Sequence, residues 1–102
     1  MGQYCDMRGF LSFLVLRLIS KKPRSGEDLR EEIGKRKGQR PSPGTIYPVL
    51  KGLSKAGLIS EVKGNGKTKL YRLTKKGEKE LAEAMHRFMM IFCDMKEEFR
   101  KA

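Results

Sequence analysis

The chain has 102 residues and carries 23 Lys or Arg against 12 Asp or Glu, which gives a formal net charge of +11. A chain of this length forms one domain with a single modest core, so a large multidomain enzyme is excluded. Its two cysteines, Cys5 and Cys93, stand near opposite ends and lack the spacing of a zinc site or of a secreted disulfide scaffold.

The positive charge is concentrated in one stretch of the sequence. Residues 35–72 hold ten Lys or Arg and one acid, Glu61, so these 38 residues carry a net charge of +9. The other 64 residues are nearly balanced, with 13 basic and 11 acidic side chains. A charge block of this kind on a folded domain is typical of a polyanion-binding surface. Nucleic acid is the favoured polyanion, and an anionic lipid surface or a solvated basic face are the alternatives.

The first predicted helix runs from Asp6 to about Lys21 and is apolar nearly all the way round. Such a helix must be covered on more than one side, so we expect a partner chain to pack on it through Phe10 and Leu14. Its apolar run is interrupted by Arg17 and is too short to span a bilayer, and it lacks a signal-peptide cleavage site. We therefore expect a cytoplasmic protein with free thiols and no membrane partner.

The second predicted helix starts after Pro23, which interrupts the helical pattern. Ser25 is a suitable N-cap, and Asp28 takes the third helical position, where it can complete a capping box. Leu29 and Ile33 should face inward. The helix ends in a basic run, which is a favourable charge for a helix C-terminus.

The third predicted helix, Ser42–Ala56, contains an interior proline. Its first residue is a good N-cap, apolar residues such as Ile46 and Leu50 recur at helical spacing, and Gly57 suits the position after the end. Pro48 costs roughly 3 kcal/mol inside a helix, because it removes a hydrogen bond and crowds a carbonyl. Either Pro48 kinks a continuous helix just after its first turn, or the helix proper starts at Pro48.

A hairpin and a long helix complete the chain. The segments 58–62 and 69–73 alternate apolar and polar residues around a Gly-Asn-Gly turn that Asn65 should shape. Thr74 should cap a last helix that runs to about Lys101. Three helices followed by a basic hairpin predict a mainly α winged helix-turn-helix. We expect residues 1–74 to form the DNA-binding domain and residues 75–102 a C-terminal dimerisation helix, as one structural unit.

Four segments carry a family resemblance. They are RGFLSFLVLRLI at 8–19, SPGTIYPVL at 42–50, LSKAGLI at 53–59 and KLYRLTKKG at 69–77. Together they resemble the PadR-like transcriptional regulators over about residues 7–80, and the Gly-Thr-Ile-Tyr-Pro core is the most specific part. The resemblance implies a repressor that acts as a homodimer of winged domains. The single helix after the wing matches the short type of that family.

The predicted contacts to double-stranded DNA lie in the third helix and the wing. Thr45 and Tyr47 should face the major groove, and a buried role in the core is the alternative for Tyr47. Pro43 starts the helix, and Gly44 leaves room for backbone amides to approach a phosphate. Ser42 and Lys51 should contact phosphates or base edges. The other candidates should neutralise phosphates: Arg40, Lys63, Lys67 and Lys69.

The last helix carries an apolar seam. Its members step by four, three, four, three and four residues, which is a heptad pattern. A single winged domain offers little surface to cover so long a stripe, so we predict a homodimer, with an intramolecular core helix as the alternative. His86 and Cys93 lie seven residues apart on this helix, and we interpret them as bystanders. The predicted dimerisation residues of the helix are Leu81, Met85, Phe88, Phe92, Met95 and Phe99.

We expect neither an enzyme, nor a metal, nor any other cofactor, because no nucleophile–base pair, phosphate loop or carboxylate couple stands out. The leading interpretation is a sequence-specific transcriptional regulator that acts as a repressor. A winged-helix module for protein or RNA assembly is the first alternative. The second is a regulator whose Met- and Phe-lined dimer interface binds a small apolar effector.

Overall fold

The computed structural model describes residues 7–64 and 66–101. This part of the chain forms four helices and one antiparallel hairpin, which confirms the predicted winged-helix order. Cys5 and Asn65 lie outside the described residues, so their roles stay predictions. The elements are α1 (Met7–Lys21), α2 (Gly26–Lys37), α3 (Pro43–Lys55), β1 (Ile59–Lys63), β2 (Lys69–Leu73) and α4 (Lys75–Lys101).

The core is a single cluster of buried apolar side chains to which all four helices and both strands contribute. Leu29 and Ile33 of α2 are fully buried, as predicted. The hairpin is joined to the helices by a short bridge that the sequence did not predict. Arg24 and Tyr71 exchange two backbone hydrogen bonds, of 3.1 and 2.8 Å, so the connection between α1 and α2 pairs with β2. This bridge fixes the wing against the helical core.

The start of α2 has the predicted capping box. The Ser25 hydroxyl accepts a hydrogen bond from the Asp28 amide at 3.1 Å, and the Asp28 carboxylate accepts one from the Ser25 amide at 3.4 Å. The helix ends at Gly38, whose φ of 79° is the left-handed conformation that glycine adopts most readily. Both ends of α2 are therefore defined by local sequence.

Helix α3 is continuous through Pro48, so the interpretation in which the helix proper starts there is wrong. The cost of the proline is offset by packing. Ile46, Leu50 and Leu53 of α3 are all buried in the core, and burial of one such side chain contributes about 1.5–3 kcal/mol. The helix stops as predicted at Gly57, where φ is 78°.

The first turn of α4 is attached directly to the end of α3. The Thr74 hydroxyl caps α4 by accepting from the Gly77 amide at 3.0 Å, and it donates to the Gly57 carbonyl at 2.6 Å. Lys76 Nζ donates to the Ala56 carbonyl at 3.0 Å. The N-cap predicted for Thr74 is confirmed, and the same residue also couples the two helices.

Candidate nucleic-acid interface

The exposed face of α3 begins at its first turn, residues 43–47, called here the reading turn. Ser42 occupies the N-cap position, but its side chain makes no capping hydrogen bond to the helix, so that part of the prediction is wrong. Its hydroxyl oxygen lies 3.1 Å from that of Thr45 instead. Ser42, Pro43, Gly44 and Thr45 are all exposed. Two paired hydroxyls, each able to donate or accept, are therefore presented to the solvent side.

Tyr47 lies at the end of the reading turn and is not part of the core, because 41% of its surface is exposed. Its ring lies against Gly26 at the start of α2, where a Cβ atom would come within 2.6 Å of it. Its hydroxyl donates a hydrogen bond to Glu27 Oε2 at 3.2 Å. Partial burial, together with this hydrogen bond, raises the pKa of Tyr47, so the phenol stays protonated.

Glu27 and Arg30 of α2 contact the two ends of the reading turn, at Tyr47 and at Pro41. Neither residue is predicted as a candidate from the sequence. Arg30 Nη1 donates to Glu27 Oε1 at 2.7 Å, and Arg30 Nε donates to the carbonyl of Pro41 at 2.8 Å. The hydrogen bond from Arg30 and that from Tyr47 lower the pKa of Glu27, so its carboxylate is ionised at neutral pH. The sequence signal for this pair is weak: Glu27 and Arg30 stand three residues apart, which places them on one face of the helix.

The wing presents three exposed lysines. Lys63 and Lys69 are directly opposite each other in the register of β1 and β2, and Lys67 lies in the connecting loop. Like charges placed opposite each other on a hairpin are destabilising. Lys69 has one acidic neighbour, with Nζ 3.8 Å from Glu61 Oε1. A bound polyanion would relieve the remaining repulsion.

The wing and the reading turn meet at a cleft of about 430 Å³. Tyr47 and the start of α2 line one side of it, and Lys67 and Lys69 line the other. Thr45 lies elsewhere, with Gly44, in a second groove of about 460 Å³ that α1 borders through Ser12. The structure therefore brings Tyr47 to the wing lysines and leaves Thr45 on the opposite flank of α3.

Two further candidates lie around the reading turn. Arg40 is exposed in the connection before α3, where it borders a groove with Gly34 and Lys35 of α2. Lys51 is exposed on the second turn of α3. Both add positive charge beside the reading turn without an ion pair of their own among the described residues.

The apolar seam of α4 is largely uncovered within one chain. Phe88, Phe92 and Phe99 are 50%, 43% and 53% exposed, and they form a stacked row with ring centroids 6.2 and 5.3 Å apart. Phe13 of α1 extends the row, because its ring stacks on Phe88 at 5.9 Å. The sequence did not assign Phe13 to this surface.

Leu81 is a correction to the predicted seam. Only 6% of its surface is exposed, and it belongs to the core of its own chain. The reason is that the first turns of α4 lie over the winged domain, and the helix leaves that domain only after them. Met85 is exposed and Met95 is partly buried, and on α1 Phe10 is exposed while Leu14 is partly buried.

Two other classes of site are absent from residues 7–64 and 66–101. None of the helices in these ranges combines the length and the apolar surface that a bilayer span requires. No group of three or more His, Cys, Asp or Glu side chains there is arranged to hold a metal ion. Cys93 is an exposed free thiol on α4.

Comparison with known proteins gives one consistent result. Residues 15–83 match the model of the transcriptional regulator PadR-like family. A PadR-like transcriptional regulator from Bacillus cereus superposes with a TM-score of 0.82 at 26% identity, covering 91% of this chain and 94% of that one. A PadR-like transcription factor from Bacteroides fragilis has a TM-score of 0.76 at 27% identity, with 89% and 91% covered. An uncharacterized protein of Lysinibacillus sphaericus is 35% identical over 83 residues, 76% of each chain.

Proposed function

The chain belongs to the PadR-like family of transcriptional regulators, and from that premise we propose that it is a repressor that selects operator DNA as a homodimer. Membership makes it a DNA-binding regulator of transcription, a class of proteins that are not enzymes. The proposal adds the repressor role, the dimer and the residues that carry each. The observation that supports it most is the row of exposed, stacked aromatic rings on α4, since a chain that worked alone would leave this surface in water.

We assign the grip on DNA to the wing and the reading to α3. The opposed lysines of the wing, with Arg40 and Lys51, neutralise phosphates, which gives affinity without sequence preference. The hydroxyls of Ser42, Thr45 and Tyr47 reach base edges or nearby phosphates. Pro43 restricts the backbone at the start of the reading turn. Gly44 has no side chain, so the backbone amides there can approach a phosphate closely.

The proposed dimer interface is wider than the narrow apolar stripe of a two-helix coiled coil. Around the circumference of α4, exposed apolar side chains extend from Ile91 on one flank, across the aromatic row, to Met89 on the other, an arc of about 160°. A two-helix coiled coil needs only a narrow a/d stripe, so a face this wide fits two partner helices. We propose that the partner's α4 and α1 both contribute, and that Phe10 and Leu14 pack at the edge of this interface.

A dimer of this kind explains operator choice. Two reading turns held by one interface can fit two half-sites one turn of duplex apart, about 34–36 Å. Each module alone would have the weak, salt-sensitive affinity of non-specific binding. Occupation of a promoter by such a dimer blocks access to the same DNA, which is repression.

The test is selection of genomic fragments by the purified protein, followed by sequencing. The best recovered duplex and a scrambled duplex of equal composition are then titrated at one salt concentration. We expect the selected duplex to bind about 10³-fold more tightly or better. A ratio near one would contradict operator choice and favour the alternative of an assembly module.

The small apolar effector stays a prediction. Met85 and Met89 of α4 are exposed beside the aromatic row, and methionine adapts readily to apolar ligands of different shape. Loss of operator affinity on addition of a planar apolar compound, with scrambled DNA unaffected, would support it.

A further inference from the structure

Glu27 is placed where its two carboxylate oxygens reach two different partners. Oε1 accepts from Arg30 at 2.7 Å, and Oε2 accepts from Tyr47 at 3.2 Å. Arg30 also donates from Nε to the carbonyl of Pro41 at 2.8 Å. The result is a chain of three hydrogen bonds that runs from Pro41, just before α3, through α2 to Tyr47 at the end of the reading turn.

These three hydrogen bonds surround the reading turn on its exposed side. Inside the protein the turn is held by Ile46, which is fully buried. Outside, Pro41 precedes the turn and Tyr47 ends it, and both are attached to the same helix, α2. The ring and hydroxyl of Tyr47 lie against Gly26, where no side chain could be added without moving them. The turn is therefore fixed at both ends relative to α2.

We propose that Glu27 and Arg30 are positioning residues for sequence reading, which act on DNA through Tyr47 and Pro41. The proposal rests on the proposed function. Base-edge hydrogen bonds need a donor–acceptor distance near 2.9 Å and a nearly linear angle, so they are lost when a turn shifts slightly. Lysine contacts to phosphates tolerate the same shift, because the side chains are long and the attraction is that of a point charge. Loss of these hydrogen bonds should therefore reduce discrimination between the selected and the scrambled duplex and leave the phosphate contacts unchanged.

The experiment compares Glu27→Gln with the matched control Glu32→Gln. Glu32 is on the same helix and pairs with Lys35 and Arg36 of that helix, so the control removes the same charge without touching α3. Dissociation constants are measured for the selected and the scrambled duplex at several salt concentrations. We expect Glu27→Gln to lower the ratio of the two affinities about fivefold to tenfold, with the salt slope unchanged, and Glu32→Gln to leave the ratio as in the wild type.

Tyr47→Phe provides the second arm, because it deletes a single oxygen from a half-exposed ring and should fold normally. If Glu27 acts through Tyr47 as well as through Pro41, the double variant Glu27→Gln with Tyr47→Phe should lose clearly less discrimination than the sum of the two single losses. Additive losses would mean that the two residues act separately, which overturns the proposal. Equal tightening on both duplexes in Glu27→Gln would also overturn it, since the carboxylate would then act only by repelling phosphate.

An arm without DNA separates this inference from the proposed function. Amide hydrogen exchange of Thr45 and Ile46, whose amides donate to the Ser42 carbonyl at 3.0 Å each, reports how firmly the turn is held. We expect faster exchange in Glu27→Gln than in the wild type, and no change in Glu32→Gln. Unchanged exchange would overturn the positioning role even if no selective duplex is found, whereas a wild type without a preferred duplex contradicts only the proposed function.

Discussion

Gly77→Ala tests the junction that attaches α4 to the end of α3. Gly77 is buried in the first turn of α4, and a Cβ added there would lie far inside contact distance of the Leu58 carbonyl oxygen. Ordinary contact begins near 3.4 Å, so the strand entrance and the helix must move apart. That movement pulls on the 3.0 Å hydrogen bond from the Thr74 amide to the same carbonyl.

The size of the effect follows from opposing terms. Overpacking of a close contact costs about 1–3 kcal/mol, and loss of a backbone hydrogen bond costs about 1 kcal/mol more. Alanine in place of a helical glycine returns up to about 1 kcal/mol. The net expectation is a destabilisation of about 1–3 kcal/mol, which lowers the melting temperature of a domain of this size by about 5–15 °C.

Gly52→Ala is the matched control, because Gly52 is an exposed glycine in α3 with no atom within 4 Å of an added Cβ. It should gain up to about 1 kcal/mol of helix propensity and melt higher than the wild type. Both variants are melted by circular dichroism at one protein concentration, since the stability of a dimer depends on concentration. A Gly77→Ala protein as stable as Gly52→Ala would refute the close approach of α4 to the end of α3.

Three further predictions concern binding and pH. The double variant Lys67→Gln with Lys69→Gln should weaken binding to all duplexes alike and lower the magnitude of the slope of log affinity against log salt by about 0.9 per lost phosphate contact. An unchanged slope would show that the wing does not contact the DNA. Thr45→Ala should reduce discrimination by about 1 kcal/mol in paired titrations, and equal losses on both duplexes would make Thr45 a positioning contact. The pKa of Glu27 lies below its ordinary value of 4.5, so the stability that its ionised carboxylate contributes to the fold is present above that pH and is lost as the pH falls. The difference in melting temperature between the wild type and Glu27→Gln should therefore shrink from pH 7 to pH 3. A constant difference would contradict the ionised pair.

Local signals in the sequence predicted much of the fold. The capping box at Ser25, the stop at Gly57 and the cap at Thr74 all depend on residues within a few positions of one another, and each was confirmed. Strand β2 has the predicted bounds, and β1 begins one residue later than expected. Local signals do not decide whether α3 continues through Pro48, because continuity depends on how much packing energy the rest of the core supplies.

Contacts between distant segments could not be predicted from the sequence. The Arg24–Tyr71 bridge and the hydrogen bond between Tyr47 and Glu27 join residues that no local pattern relates. Leu81 fits the heptad spacing as well as its neighbours do, yet it is buried in the core, because spacing does not reveal where a helix leaves its own domain. The roles of the candidate DNA and dimer contacts stay predictions for the same reason: they depend on partners.

Sedimentation combined with operator titration tests the central claim, that the aromatic row of α4 makes the dimer and that the dimer selects DNA. The variant is Phe88→Ala with Phe92→Ala, and the control is Met90→Ala, which truncates an exposed side chain on the opposite side of the same helix. Wild type and Met90→Ala should sediment as two chains and prefer the selected duplex. The double variant should sediment as one chain, with its affinity for the selected duplex reduced to that for the scrambled one. A double variant that remains a dimer and still binds the selected duplex as tightly as the wild type would contradict the account.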